Sequence, residues 1–448
     1  MKKSDVVVIG GSAASIAFIS ALRKLNGNVS VTVIRMFERS LVPCGIPYIF
    51  GVLQDTSKDV IPDSTITNLG AEIIVNEVIE IDRKRKRVVL KSGEDIEYKK
   101  LIIATGSLPV VPKFIPGYDL DNIFVITKDE KHLRKILDRI KDSNNIVIVG
   151  GGFIGVEVGE QLKIAGKNVT IVELMDRILW QSFDPEYSSI IEEKLKENGI
   201  NVITGVKVKE FIGENGKVKK VVLENNTTLE ADLVIAAIGT YPNTELARKA
   251  NINITPKGFI EVDEYMRTSD PDILAIGDCA QKKCFFTGKD VPIMLASIAA
   301  REGRIAGINL FELRIPKRNS GTIATFSTKV FGLTAASVGL TEWQAKSEGF
   351  DIEVGVSKGV DKHPATLPEA NQVFVKLVFS RKTGTILGAQ IIGGDTAGEM
   401  INIMALAVQN RLRIDDICLT QVATHPLLTA APTAYQLNMA AINGLSSI

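Results

Sequence analysis

Two stretches of this chain repeat one design. DVVVIGGSAAS at 5–15 and NIVIVGGGFIG at 145–155 each pass from a β-branched run through a glycine-rich turn into small residues that open a helix. A second β-run follows in both places, VSVTVIR at 29–35 and NVTIVEL at 168–174. Strand, glycine turn, helix and parallel strand form the opening βαβ unit of a dinucleotide-binding fold. There the backbone N–H groups and the positive helix end face a pyrophosphate. One loose glycine pattern would carry little weight; two in this context carry much more. The expected fold class is α/β, with two Rossmann-like dinucleotide-binding domains.

At 448 residues the chain is too long for one core, so further domains are expected. Pro109, Pro112, Pro116 and Gly117 mark a linker into the second fold. After residue 320 the character changes. TIATFST, FVKLVFS and ILGAQIIG read as strands around a hairpin turn at Lys382–Gly384, and an amphipathic helix follows over roughly 396–411. This part has no phosphate loop and reads as a third, α+β domain. The expected division is 1–113 with 251–320, then 114–250, then 321–448.

Charge narrows the classes of partner. Lys plus Arg is 53 against 52 for Asp plus Glu, a net +1, which favours neither nucleic acid nor an anionic membrane. The basic run Arg83–Arg87 falls between two strand patterns and reads as a solvated hairpin tip. No apolar run approaches the ~18 residues of a membrane span. The charged start enters a β-run directly, without a signal-peptide core, so a cytoplasmic enzyme is expected. Cys44, Cys279, Cys284 and Cys418 are no disulfide framework in so long a chain, and in a reducing compartment one of them is expected to be chemical. Cys279 and Cys284 have the spacing of a redox pair but read as structural, and Cys418 reads as core. No metal site is expected.

In the second fold Gly150, Gly152 and Gly155 fill every glycine slot of G-x-G-x-x-G. Glu173 ends the next strand about twenty residues on, where a carboxylate accepts the ribose hydroxyls and repels a 2′-phosphate. NADH is therefore expected over NADPH, although Arg177 lies close by. In the first fold Gly10 and Gly11 are followed by Ser12 and Ser15 in the remaining slots, and the strand ends at Arg35 instead of a carboxylate.

Other segments complete a resemblance that covers nearly the whole chain. They are the turn Ala104-Thr105-Gly106, the G-x-x-P-N segment Gly239–Asn243, AIGDCA with Gly277 and Asp278, and Leu295–Ser297. Ser40–Gly51 is similar to S-F-x-x-C-x-x-P-Y-x-x-G, with Leu41 in place of Phe. Together they resemble the pyridine nucleotide–disulfide oxidoreductases, in the branch of coenzyme A disulfide reductases and NADH oxidases. The resemblance implies FAD on the first fold, at Gly10, Gly11, Ser12, Ser15, Arg35, Thr105, Gly106, Gly277, Asp278, Ala296 and Ser297, and a further cofactor contact at Gly239. It implies NAD(H) on the second, at Gly150, Gly152, Gly155, Glu157 and Glu173, with Glu157 between nicotinamide and flavin. Residues 322–448 look like the dimerisation domain, so a homodimer is implied.

Cys44 is the redox residue that the resemblance implies. Pro47 suits the first turn of a helix, so Cys44 is expected just before a helix N-terminus, where a thiol pKa falls. No second cysteine follows at the spacing used by glutathione reductase relatives; Tyr48 and Ile49 stand there. The partner atom must come from a small thiol, a persulfide or an oxygen. His425, in Ala423-Thr-His-Pro426, resembles a segment that crosses the dimer to protonate a leaving thiolate, and Tyr435 is a weaker substitute. Arg23 and Lys24 match positions that hold coenzyme A phosphates, with Tyr48 and Tyr435 on the substrate side. His132 and His363 read as exposed and inert.

The function expected is NAD(P)H-driven reduction of coenzyme A disulfide, or of persulfide or polysulfide sulfur. The alternatives are a hydrogen peroxide-forming NADH oxidase and a reductase of a partner electron-transfer protein.

Overall fold

A computed structural model gives the fold of residues 2–316 and 318–446, in two compact units. The first gathers the chain up to residue 111 with 124–142 and 238–322; the second gathers 112–123, 143–237 and the chain from 323 onward.

The first unit is built on five parallel strands in the order Ala71–Val75, Val31–Arg35, Lys2–Ile9, Asp95–Ile103 and Ile273–Ala275. Val6 pairs with Val31, and Val7 with Leu101. Their central stretches Val6–Ile9, Leu101–Ile103 and Ile273–Ala275 are apolar throughout because both faces are covered. Val6 and Val8 pack with Phe18, Ile19 and Leu22 of the helix Ala13–Leu25. Val7 and Ile9 pack on the other face with Ala247, Ile252 and Ile260. The helix Ala296–Ile308 crosses Ala13–Leu25 closely: a Cβ on Gly303 would stand 2.3 Å from the Ala14 carbonyl oxygen.

The basic run lies at the expected turn, between the antiparallel strands Val78–Asp82 and Arg87–Leu90. Several of its charges are paired as well, while Lys84 and Arg85 are exposed. Arg83 meets Asp270 at 2.7 Å, Lys86 meets Asp272 at 2.5 Å, and Arg87 meets Asp82 and Asp95.

The second unit holds the repeat of the nucleotide fold. Leu233–Ala236, Asn145–Val149, Asn168–Val172 and Asn201–Ile203 run parallel in that order. A five-stranded antiparallel sheet belongs to the same unit, ordered Phe326–Val330, Leu333–Gly339, Ile386–Gly393, Gln372–Ser380 and Ile352–Val360. The expected hairpin turn joins Gln372–Ser380 to Ile386–Gly393, with Gly384 at φ 71°. The expected amphipathic helix is Thr396–Gln409, and with Gln436–Leu445 it covers this sheet.

The compact units cut across the expected division. The helix Glu130–Lys141, placed by its sequence position in the second nucleotide domain, packs with the first unit. The second nucleotide fold and the C-terminal sheet share one unit because polar and aromatic contacts join them. Phe153 stacks on Phe326 at 5.1 Å, and Lys376 reaches Asp184 at 3.0 Å, Glu186 at 2.5 Å and Glu342 at 2.6 Å. That lysine fills an acidic cluster that otherwise has metal-ligand spacing.

Candidate functional site

In the first phosphate loop the backbone dictates the residues. Gly10 has φ 118°, and a Cβ there would lie 2.1 Å from the Ala104 carbonyl oxygen, so only glycine fits. Ser15, in the third slot, donates its hydroxyl to the Gly10 carbonyl at 2.7 Å and holds the turn shut. Ser12 caps the helix Ala13–Leu25 without a side-chain bond. Arg35 is buried against Gly11; it makes a two-point contact with Asp63 (2.6 and 2.9 Å) and a bond to the Glu38 carbonyl. Its Nε is buried without a partner.

The other residues of the first unit that were expected to hold FAD are tied together. The Thr105 hydroxyl donates to the Asn243 carbonyl at 2.6 Å, and the Asn243 N–H returns to the Gly106 carbonyl at 2.9 Å. Gly239, at φ 111°, accepts from the Val110 N–H. Asp278 accepts from the Ser107 hydroxyl at 2.8 Å and lies 3.4 Å from the Lys128 ammonium. The turn before it is gripped on both sides: the Gly277 N–H donates to Glu302 at 2.9 Å, and the Lys282 ammonium donates to the Gly277 carbonyl at 2.7 Å. Lys282 and Glu302 themselves meet at 3.1 Å, fully buried. Ala296 and Ser297 open the helix that carries Glu302.

The second loop is regular. Gly150 has φ 111°, and a Cβ on Gly155 would lie 1.9 Å from the Gly150 carbonyl oxygen. Gly152 caps the helix Phe153–Ile164 with open space where its Cβ would be and no side-chain cap. Both phosphate helices thus leave their N-terminal ends clear of capping side chains, as a pyrophosphate requires. Glu173 is buried; it accepts from the Gly151 N–H at 2.5 Å and the Met175 N–H at 2.8 Å. Arg177 pairs with Asp176, and its Nε is buried without a partner. Glu157 accepts from the Thr328 hydroxyl at 2.8 Å; burial pushes its carboxyl up to about 7 against the opposing pull of that bond.

Cys44 is exposed, as a reacting thiol must be. The helix expected after it is a single five-residue 3-10 turn, Ile46–Phe50, with Pro47 near its start. One such turn carries little dipole, so the helix-end argument for a lowered thiol pKa fails here. Tyr48 is half-buried on the same turn. Cys279 is fully buried beside the Ile103 and Ile276 carbonyls, and burial pushes its thiol up, away from reactivity. Cys284 and Cys418 are half-buried, so Cys418 is not the core residue expected.

The remaining candidates divide. His425 is exposed in a tight turn, and its Nδ1 accepts from the Leu427 N–H at 3.2 Å. That bond puts the proton of the neutral ring on Nε2. An imidazolium acid would have to give the bond up. Tyr435 is buried and lines a cavity of about 290 Å³ with Ile403, Ile417 and Leu437. Arg23 donates to the carbonyls of Gly27, Val29, Leu69 and Gly70, which leaves exposed Lys24 the better phosphate contact of the two. His132 and His363 are half-buried, contrary to expectation, and bond the Val125 and Thr429 carbonyls.

Sequence reasoning missed Ser107, Lys128, Lys282, Glu302 and Thr328. Each is an ordinary polar residue locally and gains its place through partners 20 to 171 residues away.

Residues 4–303 match the profile of pyridine nucleotide-disulphide oxidoreductases, and 325–435 match the dimerisation domain of the same group. This chain belongs to that family. Family membership makes it an oxidoreductase that uses FAD and a nicotinamide nucleotide. It is 34% identical over 431 residues to an NADH oxidase of Enterococcus faecalis, covering 94% of this chain and 95% of that protein. It is 35% identical over 402 residues to the NAD(P)H coenzyme A polysulfide/persulfide reductase of Pyrococcus horikoshii, covering 88% of each. The solved NAD-dependent persulfide reductase from A. fulgidus superposes with a TM-score of 0.91 at 32% identity, over 99% of this chain and 83% of that one. Among the described residues no helix is long and apolar enough to cross a membrane.

Proposed function

We propose that this enzyme uses NADH to reduce a small sulfur substrate, coenzyme A disulfide or a persulfide or polysulfide, through Cys44, as a homodimer. One observation carries the reading: an exposed cysteine follows the first nucleotide loop, with no second cysteine in its segment. Such a thiolate can attack a substrate sulfur–sulfur bond, join one sulfur as a mixed disulfide and release the other as a thiolate. Two electrons then return Cys44 to the thiolate and free the second product.

When bound, FAD supplies the two-electron exchange between a nicotinamide and a sulfur centre. Gly10, Gly11, Ser12 and Ser15 would hold its pyrophosphate, with Asp278, Ser107 and Lys128 on its polar chain. Gly150, Gly152 and Gly155 would hold the nicotinamide nucleotide. The buried Glu173 carboxylate supports NADH over NADPH, because a 2′-phosphate there would meet a like charge. Glu157 serves the nicotinamide end of that site as a carboxyl that gains or loses its proton near neutrality. His425, presented through Nε2–H, serves as a hydrogen-bond donor to the departing sulfur, and Lys24 contacts an anionic substrate.

A second reading, an NADH oxidase that delivers electrons to oxygen, is favoured by the NADH oxidase of Enterococcus faecalis among the relatives. Cys44→Ser separates the two. The reductase reading expects NADH-dependent disulfide turnover to fall by more than about 100-fold, with NADH-to-dye transfer kept within about two-fold. Disulfide turnover that survives the substitution would refute it.

A further inference from the structure

We propose that Asp59 governs the ionisation of Cys44, acting from beneath the loop that carries the cysteine. The inference rests on the reading of Cys44 as the redox thiol. Asp59 is 4% exposed, and its Oδ2 is buried with no hydrogen-bond partner. Its Oδ1 lies 1.9 Å from where a Cβ on Gly45 would stand, so the carboxyl occupies the space that a side chain next to Cys44 would need. Only glycine at 45 admits it. The two segments are also stitched together, because the Val42 N–H donates to the Asp59 carbonyl at 2.9 Å and the Gly45 N–H to the Val42 carbonyl at 2.8 Å. A carboxyl with one oxygen buried and unpartnered is therefore fixed against the loop of an exposed thiol.

The charged groups around it are engaged elsewhere. On the helix Glu130–Lys141, which packs against both turns, Glu130 pairs with Arg134 at 2.8 Å and accepts from the Thr56 hydroxyl. Arg39 reaches Glu130 at 3.4 Å. On its own turn Lys58 donates to the Leu53 carbonyl, and Asp55 is bonded by Ser57. Tyr48 and Cys44 are the titratable groups on the facing segment. Burial alone pushes the Asp59 carboxyl up to about 6. Below that pH it is a neutral O–H beside the loop; above it, a second negative charge opposes the Cys44 thiolate. The two groups then titrate as a coupled pair.

Alkylation of Cys44 by iodoacetamide in the anaerobically reduced holoenzyme, followed by mass spectrometry from pH 5 to 9, tests this. The wild type is expected to alkylate with its step at the higher pH, because above about pH 6 Asp59 is charged beside the thiolate. Asp59→Asn is expected to show one step at lower pH, with alkylation at pH 7 about three-fold faster or more. Asp59→Ser, which is smaller, should behave alike and serves if the amide does not fold. Superimposable profiles for wild type and variants would overturn the inference. Alkylation reads ionisation without turnover, so that failure is separable from a Cys44→Ser enzyme that still reduces disulfides.

Discussion

At the scale of single residues, burial is the first cause that pushes the carboxyls of Asp59 and Glu157 up from the ordinary carboxylate range. Glu157 is pushed up to about 7, and its one counterweight is the Thr328 hydroxyl, which favours the charged form. Thr328→Val should therefore move the Glu157 titration upward, and Glu157→Gln should remove it. The measurement is the pH dependence of NADH-to-dye turnover, with an inflection near pH 7 in the wild type that climbs in the first variant and vanishes in the second. A folded-state pKa raised this way also means that the stability it confers is complete below the unfolded value and lost as pH rises through about 7. Glu157 was legible in the sequence because its carboxylate in FIGVEVGEQL has valine on either side. Asp59 was not: in DTSKDV it looks like one more surface charge, and its burial is decided by a glycine fourteen residues earlier.

At the scale of elements, what was legible is what is local. A phosphate loop writes its demands into neighbouring residues, because Gly10 and Gly155 must each avoid a nearby carbonyl and Gly150 takes φ 111°. The turn after Cys44 was less legible: Pro47 announces a helix start, but Gly45 and Gly51 on either side shorten it to one 3-10 turn. Helix crossings are not local at all. Gly303 and Gly307 look like routine small residues, yet a Cβ on either would fall within 2.4 Å of a carbonyl of the first phosphate helix. Gly303→Ala should push the two helices apart and cost about 1–3 kcal/mol. Because Glu302 grips Gly277 from the same helix, thermal unfolding of the variant should also show a smaller rise in midpoint on adding FAD. An unchanged midpoint with full FAD stabilisation would show that the crossing has slack.

At the scale of the whole molecule, the duplicated fold was plain from sequence, but the grouping of its parts was not. The segment 124–142 lies between the two repeats in sequence and packs with the first unit, while the second repeat packs with the C-terminal sheet. Long-range pairs such as Glu157 with Thr328 and Asp184 with Gln390 make that grouping, and no spacing rule anticipates them. The central claim, that Cys44 is a redox centre serving a sulfur substrate, also concerns the whole enzyme. An anaerobic NADH titration of the purified protein, following the flavin spectrum and the thiols released, tests it most directly. Uptake beyond what the flavin alone accepts is expected, with a thiol such as coenzyme A set free. Uptake that matches the flavin alone, with no thiol released, would contradict it.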